Sequence, residues 1–279
     1  MRPCLPQDET PWPDRLVAEF HDVEIGIART RAAYRDIGEV REIENLFVQQ
    51  IMRAKRFIYA ESQYFASRRV AEALAERLSQ PDPPEVVLIN PLSAEGWLEQ
   101  TAMDGARVRL LHAIGQRDPG NRFRIFVPLT SAGTPIYVHA KLMIVDDEVL
   151  RVGSANMNNR SMGLDSEADV FLDAARPGNG HIVPAIRRLR VALLAEHCGV
   201  SPEAMERLLS EHGTMAAAIK AAPKDGKRLD AFVLRPLTDA EKAVADSALL
   251  DPERPGEFFE PIGLRRGLFR RGGILRRPR

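Results

Sequence analysis

Two residue types that handle phosphate lie two positions apart in segment 137–146, whose sequence is YVHAKLMIVD. On a β-strand, residues i and i+2 point to the same face, so His139 and Lys141 are predicted to be neighbours. Burying an imidazole beside an ammonium is costly. The pair suits a phosphate, because lysine supplies positive charge and histidine can attack phosphorus or transfer protons near neutral pH. His139 and Lys141 are therefore candidate catalytic residues.

Ser154 and Asn156 are also two positions apart, on a predicted neighbouring strand, and Gly153 before them permits close approach of the backbone. Each piece alone has an ordinary explanation: a strand histidine is more often structural, an edge lysine discourages aggregation, and Gly-Ser is common in turns. However, 33 of the 39 basic residues are arginine, so Lys141 suggests a need for a point charge. The joint spacing predicts four phosphate-capable groups on adjacent strands.

Helices and strands alternate along the chain, which predicts a layered α/β sandwich. Hydrophobic periodicity places helices over 41–53, 68–78, 96–114, 184–198 and 202–209. Strands are predicted over 56–60, 85–90, 123–127, 137–145, 149–153 and 167–172, the fourth and fifth forming a hairpin. The candidate residues lie on this hairpin and just beyond it.

Composition excludes several classes of protein. The 279 residues are 44% hydrophobic and 28% charged, which indicates a globular chain rather than a disordered one. No apolar run reaches the roughly 18 residues that span a bilayer, and the first residues lack the apolar core of a secretory signal. Two cysteines, Cys4 and Cys198, cannot form a disulfide framework; one bridge is an alternative to two free thiols.

The zero net charge hides an asymmetry. Segment 265–279 holds seven arginines and no acid, so the remainder carries 32 basic and 39 acidic side chains, a net charge of −7. A basic tail on an acidic body suggests an anionic partner at one end. Apolar residues interleave with these arginines, so the tail fits either an anionic membrane surface, at about 1 kcal/mol per basic residue, or a solvated, disordered segment. The acidic body disfavours nucleic acid.

The pattern H-x-K-x4-D-x6-G-S-x-N is the signature of the phospholipase D superfamily, which this sequence resembles. Every fixed position is filled: His139, Lys141, Asp146, Gly153, Ser154 and Asn156. Segment 58–65, IYAESQYF, is similar to the I-Y-I-E-N-Q-Y-F segment of two-motif phospholipase D enzymes and departs from it at Ala60 and Ser62. Segments 158–163 and 165–167 continue a resemblance that covers roughly two thirds of the chain, most like a C-terminal half.

The resemblance implies a phospholipase D-like α/β/α sandwich with a mixed sheet, one half of the usual two-repeat arrangement. It implies a phosphodiesterase that works through a phosphohistidine and needs no metal or cofactor. His139 would be nucleophile or general acid/base. Lys141 and Asn156 would bind the phosphoryl oxygens, with Ser154 and Gly153 supporting them.

The same resemblance suggests roles for three acidic residues and one amide. Glu167 is similar to the acid that orients the motif histidine from behind, and a solvated strand charge is the even alternative. Glu61 and Gln63 would line the site or lie on the surface. Asp146, at the predicted hairpin turn, is better interpreted as a structural hydrogen-bond partner than as a catalytic group.

The implied mechanism needs two histidines, and none of the other five has lysine two residues on. These are His21, His112, His181, His197 and His212. Segment 12–30 resembles the linker between the halves of the two-motif enzymes, so we expect the N-terminal half to be absent. The chain would then be part of a longer or split enzyme, a homodimer that pairs two copies of His139, or an inactive half-domain.

These observations predict four regions: an irregular arm at 1–37, a catalytic half-domain at 38–200, a helical and irregular extension at 201–263, and a basic tail at 264–279. The expected activity is hydrolysis, or transphosphatidylation, of phospholipid head-group esters. The alternative is a homodimeric nuclease-type phosphodiesterase. Without an export signal the chain is expected in the cytoplasm or at a membrane periphery, although the resemblance also allows secretion.

Overall fold

The computed structural model describes residues 15–93 and 97–233, with side chains for all of these except 97–104. Nine strands form one sheet in the order β2-β1-β8-β7-β6-β3-β4-β5-β9. The strands are β1 Gly26–Arg31, β2 Val40–Arg41, β3 Phe57–Ser62, β4 Glu85–Ile89, β5 Phe123–Leu129, β6 Lys141–Val145, β7 Val149–Gly153, β8 Glu167–Asp173 and β9 Arg228–Ala231. The helices are α1 Glu42–Arg53, α2 Arg68–Ser79, α3 Trp97–Gly115, α4 Asn159–Gly163, α5 Val183–Cys198, α6 Pro202–His212 and α7 Met215–Ala221.

The sheet is mixed. β3, β4 and β5 are parallel and are linked through α2 and α3 as crossover helices. β6 pairs antiparallel with β3 and forms a hairpin with β7, and the antiparallel pairing of the sheet extends through β8 to β1. The parallel strand β4 is buried along its whole length, as expected where helices cover both faces.

Two hydrophobic clusters lie on opposite faces of the sheet. One includes Phe47 of α1 and Leu74 of α2, packed against Met143 of β6. The other includes Leu194 of α5, packed against Ile144 of β6. Adjacent residues of β6 thus enter different clusters, as strand alternation requires. The molecule is a three-layer α/β/α sandwich with a mixed sheet, and the predicted fold class is confirmed.

Local signals position the helices. Ser67 caps α2 by accepting a hydrogen bond from the backbone N–H of Val70. Pro184 lies in the first turn of α5, and Gly199 ends that helix in the left-handed region, with φ of 65°. All five helices predicted from periodicity are present, with bounds that differ by a few residues.

The strands differ from prediction in three places. β1 lies within segment 1–37, which we predicted to be irregular, because its residues pair with β8 although side chains such as Ile27 remain exposed. β6 begins at Lys141 rather than at residue 137, so His139 precedes the strand. β9 pairs with β5 across nearly 100 residues of sequence, a contact that local patterns do not encode.

Within the described ranges, no helix combines the length and hydropathy needed to cross a membrane. Residues 1–14, which include Cys4, and residues 234–279, which include the basic tail, lie outside those ranges, so the predictions about them are unchanged. Cys198 is buried and has a free thiol.

Candidate active site

The motif residues other than Asp146 lie at one end of the central strands, where β6 begins and β3 and β7 end. Lys141, the first residue of β6, pairs with Ser62, the last residue of β3. On the other side, Leu142 of β6 pairs with Val152 of β7, and Gly153 pairs with Asp169 of β8. The antiparallel register therefore brings residues far apart in sequence to the same end of these strands.

Lys141 and Asn156 converge on one oxygen atom. The Lys141 ammonium lies 3.1 Å from Oε1 of Gln63, and Nδ2 of Asn156 lies 3.3 Å from the same atom. Lys141 also donates to the backbone carbonyl of His139, at 2.8 Å. A charged donor and a neutral donor aimed at a single acceptor can hold a phosphoryl oxygen.

Gln63 is held from its other end by two tyrosines. Its Nε2 donates to the hydroxyl of Tyr64 at 2.8 Å and to the hydroxyl of Tyr137 at 2.7 Å. The amide thus has a fixed orientation, with its oxygen toward Lys141 and Asn156. The structure brings predicted residue Gln63 into contact with both predicted phosphate ligands.

His139 is exposed at this end of the strands. Because it precedes β6, it does not share a strand face with Lys141 as predicted; its link to Lys141 is the backbone carbonyl. Among the side chains that the structure describes, none is hydrogen-bonded to the His139 ring. An exposed imidazole remains available to a substrate or to a second protein surface.

Glu167 binds serines rather than His139. One carboxylate oxygen accepts from the Ser154 hydroxyl, and the other accepts from the Ser161 hydroxyl at 2.8 Å. Ser161 in turn accepts from the backbone N–H of Asn156, at 3.1 Å. The predicted contact of Glu167 with the motif histidine is absent within the described residues, and Glu167 instead fixes the loop that carries Asn156.

Burial lowers the pKa of Lys141, and the nearby Glu167 carboxylate opposes this effect. The ammonium is half-buried, so its field is screened less by water than that of a surface lysine. A partly desolvated cation next to aligned donors is suited to bind an anion.

Glycine is required at position 153 because a neighbouring side chain occupies the space that a Cβ would need. A Cβ at this position would lie 1.9 Å from Oδ1 of Asp169 and 2.6 Å from its Cα. The Asp169 carboxylate is fully buried and pairs with Arg151, whose guanidinium also donates to the Ala155 carbonyl at 2.7 Å. We predicted that Gly153 permits approach of a backbone to the ligand; the group that approaches it in the structure is Asp169.

Glu61 lies away from this group. It shares the sheet face of Tyr59, and its carboxylate accepts from the Tyr59 hydroxyl at 2.5 Å and lies 3.3 Å from Nε2 of His197 on α5. Complete burial, with Glu61 as the next cause, raises the pKa of Tyr59. The prediction that Glu61 lines the site is not supported by its position, because strand alternation sends it to the face opposite Lys141.

Asp146 lies at the far end of β6. Its carboxylate accepts from the backbone N–H groups of Lys55, Arg56 and Phe57, at 2.7, 2.8 and 2.8 Å. These bonds fix the start of β3 to the hairpin turn. The arrangement agrees with the structural interpretation of Asp146.

Ser161, Tyr137 and the Arg151–Asp169 pair were not among the predicted site residues. Alternation could have identified Arg151 and Asp169, since each lies two positions from a predicted residue on its own strand. Ser161 has a local signal too, because Asn158 caps α4 through the backbone N–H of Ser161. Tyr137 has no such signal, since only the tertiary fold brings it to Gln63.

Two family models match the sequence, one described as phospholipase D over residues 127–242 and one described as cardiolipin synthase, PLD-like domain, over residues 47–182. Between them they include every motif residue at the site. The chain belongs to the phospholipase D superfamily. The spacing of the motif and its convergence at one end of the central strands agree with that assignment.

Curated relatives include phospholipase D alpha 1 from Nicotiana tabacum, 28% identical over 232 residues, an alignment with 58% of this chain and 28% of the relative. Phospholipase D alpha 1 from Carica papaya is 27% identical over 292 residues, with 80% of this chain and 34% of the relative aligned. The chain thus spans about a third or less of the length of these phospholipases.

Among solved structures, the phospholipase D family member Nuc from Salmonella typhimurium has a TM-score of 0.42 and 14% identity over 60% of this chain and 91% of Nuc. Phosphatidylserine synthase from Haemophilus influenzae Rd KW20 has a TM-score of 0.43 and 14% identity over 71% of this chain and 47% of the synthase. Both scores are low, and the site is therefore described from the contacts of this chain alone.

Proposed function

We propose that this chain carries half of the active site of a phospholipase D-type phosphodiesterase that acts on phospholipid head-group esters. The observation that carries the proposal is the convergence of Lys141 and Asn156 on one acceptor position, 3.1 and 3.3 Å from the same oxygen. His139 stands exposed at the same end of the strands. A cation, an amide donor and an imidazole around one position are the groups that phosphoryl transfer through histidine requires.

The proposed reaction has two displacements. In the first, a histidine nitrogen attacks phosphorus, and the bond from phosphorus to the head-group oxygen breaks as a second histidine donates a proton to that oxygen. In the second, the same second histidine takes a proton from water, whose oxygen attacks phosphorus and releases the first histidine. If an alcohol replaces water, the product is a new phosphatidyl ester. Lys141 and Asn156 stabilise the charge on the phosphoryl oxygens in both steps.

His139 supplies one of these histidines, and we assign it mainly to the acid–base role. The second must come from a partner half or from a second copy of this chain. Two other histidines are engaged elsewhere: His197 lies near Glu61 on the opposite sheet face, and both ring nitrogens of His181 contact backbone carbonyls. The site is therefore proposed to be completed between chains or halves.

Lipid is favoured over nucleic acid as substrate. The curated relatives are phospholipases, and one matching family model is described as cardiolipin synthase, which supports transfer of a phosphatidyl group. The net charge of −7 outside segment 265–279 opposes binding to a polyanion. A homodimeric nuclease is the alternative, because one motif per chain suits a symmetric pair.

The test combines solution mass and activity. Light scattering on chromatographic fractions is paired with choline release from phosphatidylcholine vesicles and with nicking of plasmid DNA in the same fractions. We expect choline release only from a dimer or from chain mixed with a complementary half that supplies the second histidine. General acid–base catalysis contributes about 10²–10⁴ in rate, so His139→Ala should lose at least that factor, whereas His112→Ala, at an exposed helix position, should not.

Nicked DNA without choline release would replace the lipid proposal with the nuclease. An active monomer would overturn the claim that the site is shared. An inactive dimer that also fails with the partner half supplied would leave the half-domain interpretation.

A further inference from the structure

Gln63 occupies the position that the proposed mechanism gives to a substrate oxygen. Its Oε1 accepts from both Lys141 and Asn156, at 3.1 and 3.3 Å. An amide oxygen carries partial negative charge and accepts along two lone pairs, as a phosphoryl oxygen does. The two acceptors cannot occupy the same place, so an anion that uses both donors at that position must displace Gln63.

The amide is held by more than its oxygen. Nε2 donates to Tyr64 and Tyr137, at 2.8 and 2.7 Å, so all four groups around Gln63 favour one orientation. Gln63 follows the end of β3 and is half-buried, while the next residues belong to a short segment before α2. Because Gln63 lies outside β3, movement of its side chain does not require strand pairing to break.

We propose that Gln63 is a placeholder for the phosphoryl oxygen: its amide keeps Lys141 and Asn156 aligned in the empty site and swings away when a phosphate enters. The proposal rests on the proposed function, since it concerns the same phosphate ligands. Gln63 is thus a positioning residue. Unlike a side chain that binds the substrate anion, it lowers the affinity of the site for that anion, because it competes for the same donors.

The donors that remain free agree with this assignment. The Lys141 ammonium has three N–H donors, of which one goes to Gln63 and one to the His139 carbonyl. Asn156 uses one of its two amide donors on Gln63. When Gln63 leaves, each of the two residues gains a donor already aimed at the same position, with no rearrangement of the strands that carry them.

The energetic consequence has a definite direction. An internal competitor lowers the apparent affinity for the external ligand by the fraction of time that the site is open. If the amide occupies the site about nine-tenths of the time, removing it tightens phosphate binding about tenfold. A carboxylate at the same position would pair with Lys141 and repel an incoming anion, which weakens binding.

The experiment measures inorganic phosphate binding to the full chain by titration calorimetry, with Gln63→Ala and Gln63→Glu as variants. We expect Gln63→Ala to bind about tenfold more tightly than wild type and Gln63→Glu at least tenfold more weakly. Tyr137→Phe, which removes one hydroxyl that holds the amide, should shift affinity in the direction of Gln63→Ala. The matched controls are Gln49→Ala and Gln49→Glu at an exposed position of α1, expected to leave binding unchanged.

Weaker phosphate binding by Gln63→Ala would overturn the proposal, since it would make Gln63 a ligand. Equal binding by wild type and Gln63→Ala would also overturn it, as would the absence of binding to both. Lys141→Ala distinguishes a failure of the proposed phosphate site from a failure of the placeholder role of Gln63. If phosphate still binds Gln63→Ala after Lys141 is removed, the phosphate site of the proposed function is wrong; if binding is lost but Gln63→Ala shows no gain, only the placeholder fails.

Discussion

The two ends of the β6–β7 hairpin hold parts of one sequence motif in opposite environments. At the end where β6 begins, His139 is exposed and Lys141 is half-buried. At the turn, Asp146 and Asp147 are buried, with both carboxylates fully engaged. Asp146 binds three backbone N–H groups, and Asp147 pairs with Arg190 of α5 through contacts of 2.7 and 2.8 Å.

The difference shows how one motif divides its tasks. The turn residues Asp146 and Asp147 have positive φ, of 56° and 60°, which the adjacent hydrogen bonds stabilise. That end fixes the hairpin to β3 and to α5. The opposite end then holds Lys141 at a defined position without being fully paired itself, which leaves polar groups for a ligand.

The largest effect is expected at the turn. Asp146→Ala leaves three backbone N–H groups without their acceptor and should lower the free energy of unfolding by about 3–5 kcal/mol. Lys141→Met, at the other end of the same strand, should change it by less than about 1 kcal/mol, since it removes a charge whose burial is unfavourable. Urea unfolding measures both, and equal losses would erase the distinction between the ends.

The site end contains one position that is also structural. Gly153→Ala would place a methyl group against the buried Asp169 carboxylate and should cost about 2–3 kcal/mol through overpacking. Gly38→Ala is the control, because nothing lies within 4 Å of its added Cβ. Thermal unfolding compares the two variants. If Gly153→Ala leaves the stability unchanged, this glycine is not required by the packing of Asp169, and the predicted role in backbone approach is favoured instead.

A smaller, pH-dependent effect belongs to the turn end. Arg53, at the end of α1, bonds to Asp173 at 2.8 Å, and this hydrogen bond lowers the pKa of Asp173 below its ordinary value of 3.8. A carboxylate with a lowered pKa stabilises the fold above pH 3.8, and this contribution is lost as pH falls through the folded-state value. The pair is partly exposed, so the contribution is about 0.5–1 kcal/mol.

Asp173→Asn tests this. The unfolding free energy of Asp173→Asn should be lower than that of wild type by the whole contribution at pH 6. This difference should shrink toward zero as pH falls below 3.8. Parallel stability curves for wild type and Asp173→Asn at all pH values would contradict the assignment of this acid sensitivity to the turn end.

The smallest effect concerns reactivity rather than stability. Cys198 ends α5 behind the sheet, and burial raises the pKa of its thiol from 9.0 to about 11. Because the thiolate is the reactive form, alkylation by iodoacetamide at pH 8 should be about a hundredfold slower than that of an ordinary thiol. Cys4→Ser leaves Cys198 as the one thiol of the chain; fast labelling of this folded variant would mean that α5 does not seal this face.

Periodicity and helix-end residues predicted the five long helices and the strands β3 to β8 because their signals are local, such as a hydrophobic stripe on α1 and a Pro and a Gly at the ends of α5. β1 and β9 lack such signals, since β1 pairs with β8 and β9 pairs with β5 across more than 90 residues of sequence. The same distinction applies to the site. The motif identified Lys141 and Asn156, whereas the contact of Tyr137 with Gln63 arises only in the folded chain.

The sequence by itself determined the superfamily and the α/β class and supplied the candidate phosphate-binding residues, because these depend on the types and spacing of residues within short segments. Only the tertiary structure decided what each group contacts. It sent Glu61 to the opposite face, gave Glu167 to two serines, placed Asp169 against Gly153 and set Gln63 between Lys141 and Asn156. Those contacts arise from the register of strands that are distant in the chain, and register depends on the packing of the whole sheet.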